Sequence, residues 1–472
     1  MSETLDKDDI QGLVAWGYGH LPSAAWHLLR VTDRRRAARW LQATTDLVTT
    51  ADGDSPTDVA VNVALTPSGL RRLGLPDDAM AGFSPEFRGG MTTEHRQRVL
   101  GDEGDRAPSN WTWGGTDNEG VDLIVLLYAT TDAALSQLAG KVLGDEASIG
   151  VSPVRVLETK WLGDREHFGF HDGISQPAIA GLRPGRPEDT IAAGEFILGY
   201  ANEYGKRTDR PLLPPEADPD GLLPPAAENA QLADLGRNGS YLVVRQLGQD
   251  VPGFWRFADA ASRHNGGRSS GSPEQAREAL AARIVGRWPS GAPLTLAPEG
   301  DDAKLSSEND FGYHEGDAEG LKCPVGAHVR RANPRDSLEP RPGTGDSIAV
   351  NKRHRLLRRG RTYGERITPE QALVTGTNEG DDPRGLLFAC LCGNLARQFE
   401  FVQHTWINNP KFAGLYDDPD PLIGPAGGTL TIQAKPVRRR VTSLPEFVSV
   451  HGGGYFFLPG VRALRYLAAL GG

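Results

Sequence analysis

Val121-Asp122-Leu123-Ile124-Val125-Leu126-Leu127-Tyr128 is the stretch on which the fold turns. It is a β-rich run, followed by a helix-like segment from Ala133 to Leu143 and a second β-rich run from Val154 to Leu162. Upstream the same order already occurs once. Ala25 to Arg30 reads as a strand, Arg34 to Ala43 as a helix, Val59 to Leu65 as a strand and Pro67 to Leu73 as a short helix. Two successive βαβ patterns predict a ferredoxin-like α+β unit with an antiparallel sheet. Between about Glu203 and Asn238 the chain is rich in Pro, Asp and Ala, with Pro211, Pro214, Pro215, Pro224 and Pro225, and reads as a linker or long surface loop. Beyond it, Gly239 to Gln246 reads as a strand, Val251 to Ser262 as a helix, and Gly266 to Ser272 as a Gly/Ser/Arg-rich loop. Gly385 to Cys392 is a continuous apolar run suited to a strand buried on both faces. Asn394 is placed to cap a helix from Leu395 to Asn408, on which Leu395, Phe399, Val402 and Trp406 share a face. The expected fold is therefore α+β with two ferredoxin-like units, residues 1–230 and 231–472. Pattern order alone supports the duplication; no sequence repeat accompanies it.

A chain of 472 residues is long for one core, which agrees with two units. Its 38% apolar and 24% charged residues are those of a globular protein, and 58 glycines and 34 prolines imply well-punctuated loops. A net charge of -10 argues against a nucleic-acid or anionic-membrane footprint, either of which needs a basic face. The basic runs Arg34-Arg35-Arg36 and Arg438-Arg439-Arg440 read as solvated faces. Cys323, Cys390 and Cys392 cannot make a disulfide framework, and a lone Cys-x-Cys pair is a poor zinc site, so they read as buried reduced thiols. No run of about 18 apolar residues is present to span a membrane. The acidic start Met1-Ser2-Glu3 carries no basic and apolar leader, so a cytoplasmic location is expected.

Three segments place reactive residues among glycines and prolines. Phe168-Gly169-Phe170-His171-Asp172-Gly173-Ile174-Ser175-Gln176-Pro177 puts a carboxylate in a tight turn, where an Asx-turn or helix cap is the bland alternative. Cys323-Pro324-Val325-Gly326-Ala327-His328-Val329-Arg330, continuing to Asn333-Pro334-Arg335, carries a histidine that alone could be an ordinary core or surface residue. Arg353-His354-Arg355-Leu356-Leu357-Arg358-Arg359-Gly360, ending in Tyr363-Gly364, would alone read as a solvated face. Together they resemble the dye-decolorizing peroxidase family. Gly169-x-x-Asp172-Gly173 with Ile174-Ser175-Gln176-Pro177 looks like its signature. Ala327-His328-x-Arg330 resembles the segment of its proximal haem ligand, and Leu356 to Gly360 that of its distal arginine. Further similarity runs through Gly385-Leu386-Leu387-Phe388, Ala396 to Gln403, Thr405 to Pro410 and Gly453 to Pro459, in order along nearly the whole chain. Length and N-terminus place the chain nearer the large cytoplasmic bacterial branch.

The resemblance implies a haem peroxidase that reduces hydrogen peroxide while oxidising dyes, phenolic compounds or other small one-electron donors. One haem b per chain would be held mainly by the C-terminal unit. His328 is the implied axial iron ligand, and Ile174, Ser175, Arg330 and Phe388 the implied cofactor contacts. A peroxidase haem needs a neutral imidazole on iron and an open opposite face. There a base must take a proton from one peroxide oxygen and deliver one to the other, the implied role of Asp172. Arg358 would supply fixed positive charge to the departing oxygen; its offset from Gly360 distinguishes it from Arg353, Arg355 and Arg359. His171, adjacent to Asp172, is a second distal candidate. Glu400 stands between two phenylalanines, where a carboxylate is costly to bury without a partner. It is expected either to accept the other N–H of His328, as a second-shell carboxylate, or to form a surface salt bridge.

An unperturbed Asp titrates near about pH 4, so a carboxylate base predicts an acidic optimum for dye oxidation. Bulky dyes would donate electrons through surface Trp or Tyr residues. Trp406, Tyr363 and Tyr455 are the candidates, with core packing as the other reading of each. A manganese site would need clustered surface carboxylates; Asp417-Asp418 and Asp381-Asp382 are such pairs, equally explained by loop solvation. Two alternatives remain at this point. One is a haem-binding or haem-handling protein of the same fold without significant turnover; the other is a non-haem metal oxygenase using His328, His171 and a carboxylate as a facial triad.

Overall fold

The computed structural model describes residues 3–471 apart from 145, 265–271 and 375–382. Its N-terminal half contributes β1 (Ser23–Val31), β2 (Val59–Leu65), β3 (Leu123–Ala129) and β4 (Val151–Glu158) to a central sheet. The C-terminal half contributes β5 (Ser240–Gln249), β6 (Leu357–Arg358), β7 (Arg361–Tyr363), β8 (Gly385–Cys392) and β9 (Val448–Leu458). The order is β6-β8-β5-β9-β2-β3-β1-β4, with β7 also on β8, and every pairing is antiparallel. In the N-terminal half β1 lies between β3 and β4 with β2 outside β3, and in the C-terminal half β5 lies between β9 and β8 with the short β6 and β7 outside β8. This repeated order is the ferredoxin-like arrangement, present twice. The two blocks of strands join through one register pair, Phe457 opposite Leu65.

Sequence patterns account for the elements. All seven residues of β3 are buried, because helices cover one face and the N-terminal segment the other. The helix Arg34–Thr45 starts where the Asp33 side chain accepts the Arg36 N–H, and it buries Ala37, Ala38, Trp40 and Leu41. The expected strands at Val59–Leu65 and Gly385–Cys392 and the helix at Pro67–Leu73 are found with those bounds. The loop expected at Gly266 to Ser272 falls on 265–271, outside the described residues; Ser272 itself caps the helix Pro273–Val285 in a capping box with Gln275.

Two expectations are corrected. The stretch from Glu203 to Asn238 is not a linker: it folds into a three-stranded antiparallel sheet of Leu212–Leu213, Pro225–Ala226 and Asn229–Asp234. Buried Arg210 holds it, pairing with both Glu228 and Asp234 at 2.7 Å. Residue 230 lies within the last of these strands. The helix after Asn394 is capped as expected, with the Asn394 side chain accepting the Arg397 N–H at 2.8 Å. It is, however, largely π-wound over Ala396–Glu400 and Val402–Ile407, with i→i+5 bonds such as Glu400 N–H to the Leu395 carbonyl. Such wide turns often mark functional sites. The three cysteines are free and buried. Among the described residues no helix is long and apolar enough to cross a membrane.

Candidate functional site

One cavity of about 270 Å³ gathers residues from both halves, including His171, Asp172, Ser175, His328, Arg358 and Phe388. The turn bearing Asp172 depends on Gly169 and Gly173, whose φ values of +98° and +85° other residues adopt only with strain. The turn is tied down by His171 N–H to the Pro289 carbonyl and Asp172 N–H to the Asp164 carbonyl. The Asp172 carboxylate accepts the Gly173 N–H and the Arg358 Nη1–H, each at 2.6 Å.

Arg358 reaches Asp172 because β6 pairs it with Cys390 on buried β8, and its own N–H is held by Gln176 Oε1 at 3.1 Å. Strand alternation sends Arg359 the other way, to the carbonyls of Leu13 and Val14. Arg353 lies over the Tyr204 ring at 4.2 Å, and Arg355 reaches toward Asp189 at 3.4 Å. Of the four clustered arginines, Arg358 is the one that faces Asp172. Burial works against an ionised Asp172, but the charge and hydrogen bond of Arg358 outweigh it and hold the carboxyl below the usual range. The two side chains remain 41% and 34% exposed, so a small ligand in the cavity can reach them.

His328 opens the short helix His328–Ala332. Its Nδ1 lies 2.9 Å from Asp420 Oδ2, and the Asp420 side chain is fully buried. The other oxygen, Oδ1, accepts the N–H groups of Leu422 and Ile423, both at 2.9 Å, which fixes the orientation of the carboxylate. Burial alone would lower the His328 pKa, yet the Asp420 charge and hydrogen bond raise it above its ordinary value. His328 also senses the charges of Arg358 and Asp172, so all three belong to one electrostatic site.

The remaining expected residues divide. Ser175 lines the cavity and accepts the Asn333 Nδ2–H at 3.1 Å, and Phe388 lines its wall. Ile174 packs against Gly291, where a Cβ would collide with it and with His171. Arg330 does not line the cavity: it is buried against Asp317 at 3.1 Å, the Cys323 carbonyl and the Tyr313 ring. Glu400 is not the partner of His328. It accepts from Arg96 Nε and the Tyr455 hydroxyl, both at 2.9 Å, and Asp420 takes the place expected of it. His171 lines the cavity, with Nδ1 turned to the Ser290 carbonyl at 3.2 Å.

Trp406, Tyr363 and Tyr455 are buried, not at the surface; the exposed aromatics are Trp161, Tyr204 and Tyr416. Asp418 is neither a manganese ligand at the surface nor solvated, since it is buried and accepts the Thr431 N–H. Asp417 pairs with Arg440 at 3.8 Å, and Asp381-Asp382 lie outside the described residues. Among the described residues no three His, Cys, Asp or Glu side chains cluster to hold a metal ion, which leaves the facial triad without a ligand set.

Sequence reasoning passed over two features. Asp420 sits in Asp417-Asp418-Pro419-Asp420-Pro421, and nothing in its spacing connects it to His328. Arg287, Arg335 and Arg355 also line the cavity. Arg335 stacks on Phe311 at 3.8 Å, and Arg355 has a buried Nη2 with no hydrogen-bond partner. Burial lowers the pKa of Arg287 and of Arg355 to about 10, in Arg355 against the opposing pull of Asp189.

Comparison with known proteins gives one consistent picture. The chain is 32% identical over 437 residues to a dye-decolorizing peroxidase of Mycetinis scorodonius, covering 86% of this chain and 76% of the relative. It is 30% identical over 430 residues to a multifunctional dye peroxidase of an Amycolatopsis species, covering 86% of this chain and 82% of that one. The crystal structure of a decolorizing peroxidase from Auricularia auricula-judae superposes with a TM-score of 0.79 at 27% identity, over 99% of this chain and 100% of that chain. No family model matches the chain.

Proposed function

The chain belongs to the dye-decolorizing peroxidase family, and on that footing we propose that His328 is the axial ligand of one haem b bound in the cavity, with Asp172 and Arg358 acting on hydrogen peroxide. The convergence of His328–Asp420 and Asp172–Arg358 on one cavity is the observation that carries this reading. The cavity's residues fit such a group. Leu386, Phe388, Phe399, Val402 and Ile423 offer apolar walls to a macrocycle. The unpartnered Nη2 of Arg355, with Arg287 and Arg335 beside it, offers donors to carboxylates. The haem supplies the iron and the redox capacity for peroxide reduction. We place the division of the chain near residue 230: residues 231–472 supply His328, Arg358, Phe388 and Asp420, and residues 1–230 supply Asp172 and Ser175.

The roles of the side chains follow from their bonds. With Asp420 accepting at Nδ1, the imidazole is protonated there and Nε2 keeps a free lone pair for a metal. The buried carboxylate makes that imidazole a stronger donor. Asp172 is held ionised by Arg358 well into the acid range, so it can accept a peroxide proton where a weaker partner would leave it neutral. It then returns that proton to the departing oxygen, which leaves as water. Arg358, fixed between Gln176 and Asp172, offsets negative charge developing beside it. The electrons come from a dye, a phenol or another small one-electron donor.

The test is an absorption spectrum of the haem-loaded protein before and after one equivalent of hydrogen peroxide, for wild type and His328→Ala. A Soret band that shifts in wild type and is lost or altered in the variant establishes ligand and reaction together. A wild type that takes up no haem refutes the reading. Asp172→Ala separates turnover from haem handling: a peroxidase keeps haem and loses the peroxide step, while a carrier is indifferent.

A further inference from the structure

Glu166 is a half-buried acid that the proposed chemistry leaves unused. It lies on the same loop as Asp172 and lines the same cavity. Its backbone closes the loop, with Glu166 N–H to the Phe170 carbonyl and Gly169 N–H to the Glu166 carbonyl, both at 3.0 Å. Its side chain then folds back on that loop. Oε2 accepts the Phe168 N–H at 2.8 Å and Oε1 the Phe170 N–H at 2.9 Å. Gln249 Nε2, from the end of β5, adds a third donor to Oε2 at 2.8 Å. We propose that Glu166 is a positioning residue for Asp172, and that gain or loss of a proton at its carboxyl loosens or tightens the turn from which Asp172 projects.

All three partners of the carboxylate are donors. An ionised carboxylate satisfies every one of them, whereas the acid form presents an O–H to at least one N–H and must give up a contact. Burial disfavours the charged form and pushes the group up to about 7, with the Asp172 charge adding to that, although Phe168, Phe170 and Gln249 pull the other way. The charged and titratable groups around it are few. Asp172 is on its own loop, and Arg165 is turned to the Gly169 carbonyl at 3.1 Å. His167 faces the Tyr363 carbonyl at 2.8 Å. β5 presents the neutral Gln249, and the helix Val251–His264 presents Phe254 and Trp255, rings that hold Phe168 and Phe170. That aromatic anchorage, with Trp255 Nε1 donating to the Phe168 carbonyl, keeps the loop in place when the carboxyl lets go. What changes is the aim of Asp172, two residues beyond Phe170.

This inference rests on the reading of Asp172 as the distal base, and its test keeps the two apart. Glu166→Gln is a permanent mimic of the acid form. In haem-loaded protein, the rate of the peroxide step is measured from pH 5 to pH 8 for wild type, Glu166→Gln and Asp172→Asn. Wild type and Glu166→Gln should agree at pH 5. At pH 8 wild type should be faster by roughly tenfold, the scale of one hydrogen bond to a charged group. An infrared titration of protein labelled with 13C-glutamate should show an acid carbonyl band appearing below a midpoint near 7 in wild type, absent from Glu166→Gln. The proposal is overturned if the neutral inflection persists in Glu166→Gln, if the variant loses the same factor at both pH values, or if no such band titrates. If Asp172→Asn reacts as fast as wild type throughout, the distal-base reading fails instead.

Discussion

Replacing Asp420 by Asn tests the proposed iron ligand through its carboxylate partner. Asn retains one oxygen, and the two N–H groups of Leu422 and Ile423, both at 2.9 Å on one side, dictate which way it points. Its amide NH2 must then face His328 Nδ1, where the native carboxylate accepts at 2.9 Å. A donor in that position favours the Nε2–H tautomer, which has no lone pair left for iron at Nε2. Loss of such a partner costs 10- to 100-fold in metal affinity or activity. The loss falls mainly on the ferric state, which gains most from an electron-rich imidazole. At about 59 mV per tenfold for a one-electron couple, the ferric/ferrous potential should rise by roughly 60 to 120 mV, and haem should dissociate more readily. Spectroelectrochemical titration of the Soret band measures the first effect, and haem transfer to an acceptor protein the second. Glu400→Gln is the control. Its carboxylate is bound to Arg96 and Tyr455, so its potential should match wild type. A potential unchanged in Asp420→Asn, or shifted equally in Glu400→Gln, would refute the assignment.

Arg358→Leu removes the charge that depresses Asp172, so the acid limb of the peroxide step should move to higher pH in a stopped-flow profile. The sign follows because a carboxylate base works only above its own pKa, and the plateau rate should also fall by about 10²- to 10³-fold. Arg330→Ala strands the buried Asp317 carboxylate and should destabilise the protein by about 3 to 5 kcal/mol in a denaturant titration, with the haem spectrum unchanged. Glu166→Gln should gain stability over wild type as pH rises from 5 to 8. The native group holds its proton up to about 7, against 4.5 ordinarily, and above that range wild type carries a half-buried charge that costs at most about 3 kcal/mol before solvent screening. A stability difference that stays flat across that range counts against a protonated Glu166.

What was legible in the sequence was whatever local chemistry dictates. Strand β8 could be read because eight consecutive apolar residues have few other uses, and Asp172 because its flanking glycines allow the left-handed turn that exposes it. Arg358 was told from Arg359 by its offset from Gly360 in the family resemblance and not by local chemistry, since the two differ in direction and not in kind, and strand alternation supplies the physical reason. Of the two readings of Glu400, the pairing with His328 fails and a salt bridge is found, with Arg96 and away from solvent, for an instructive reason. The premise that a carboxylate between phenylalanines needs a partner was sound, but Arg96 and Tyr455 supply it across more than fifty residues of separation or from the other half of the chain. Asp420 shows the converse. Its run of acidic residues and prolines looks like solvated loop, yet Asp418 and Asp420 are both buried, because the fold brings donors to each: the Thr431 N–H to one, and His328, Leu422 and Ile423 to the other. Composition reports that a segment is polar; it does not report whether the fold brings donors to it. The π-wound helix is of the same sort. Its apolar residues recur as in an α-helix, and only the i→i+5 bonds reveal a widened turn that lets Phe399, Val402 and Ile407 all face the cavity. Long-range partners thus decide which polar residues belong to the site, while local pattern decides which elements carry them.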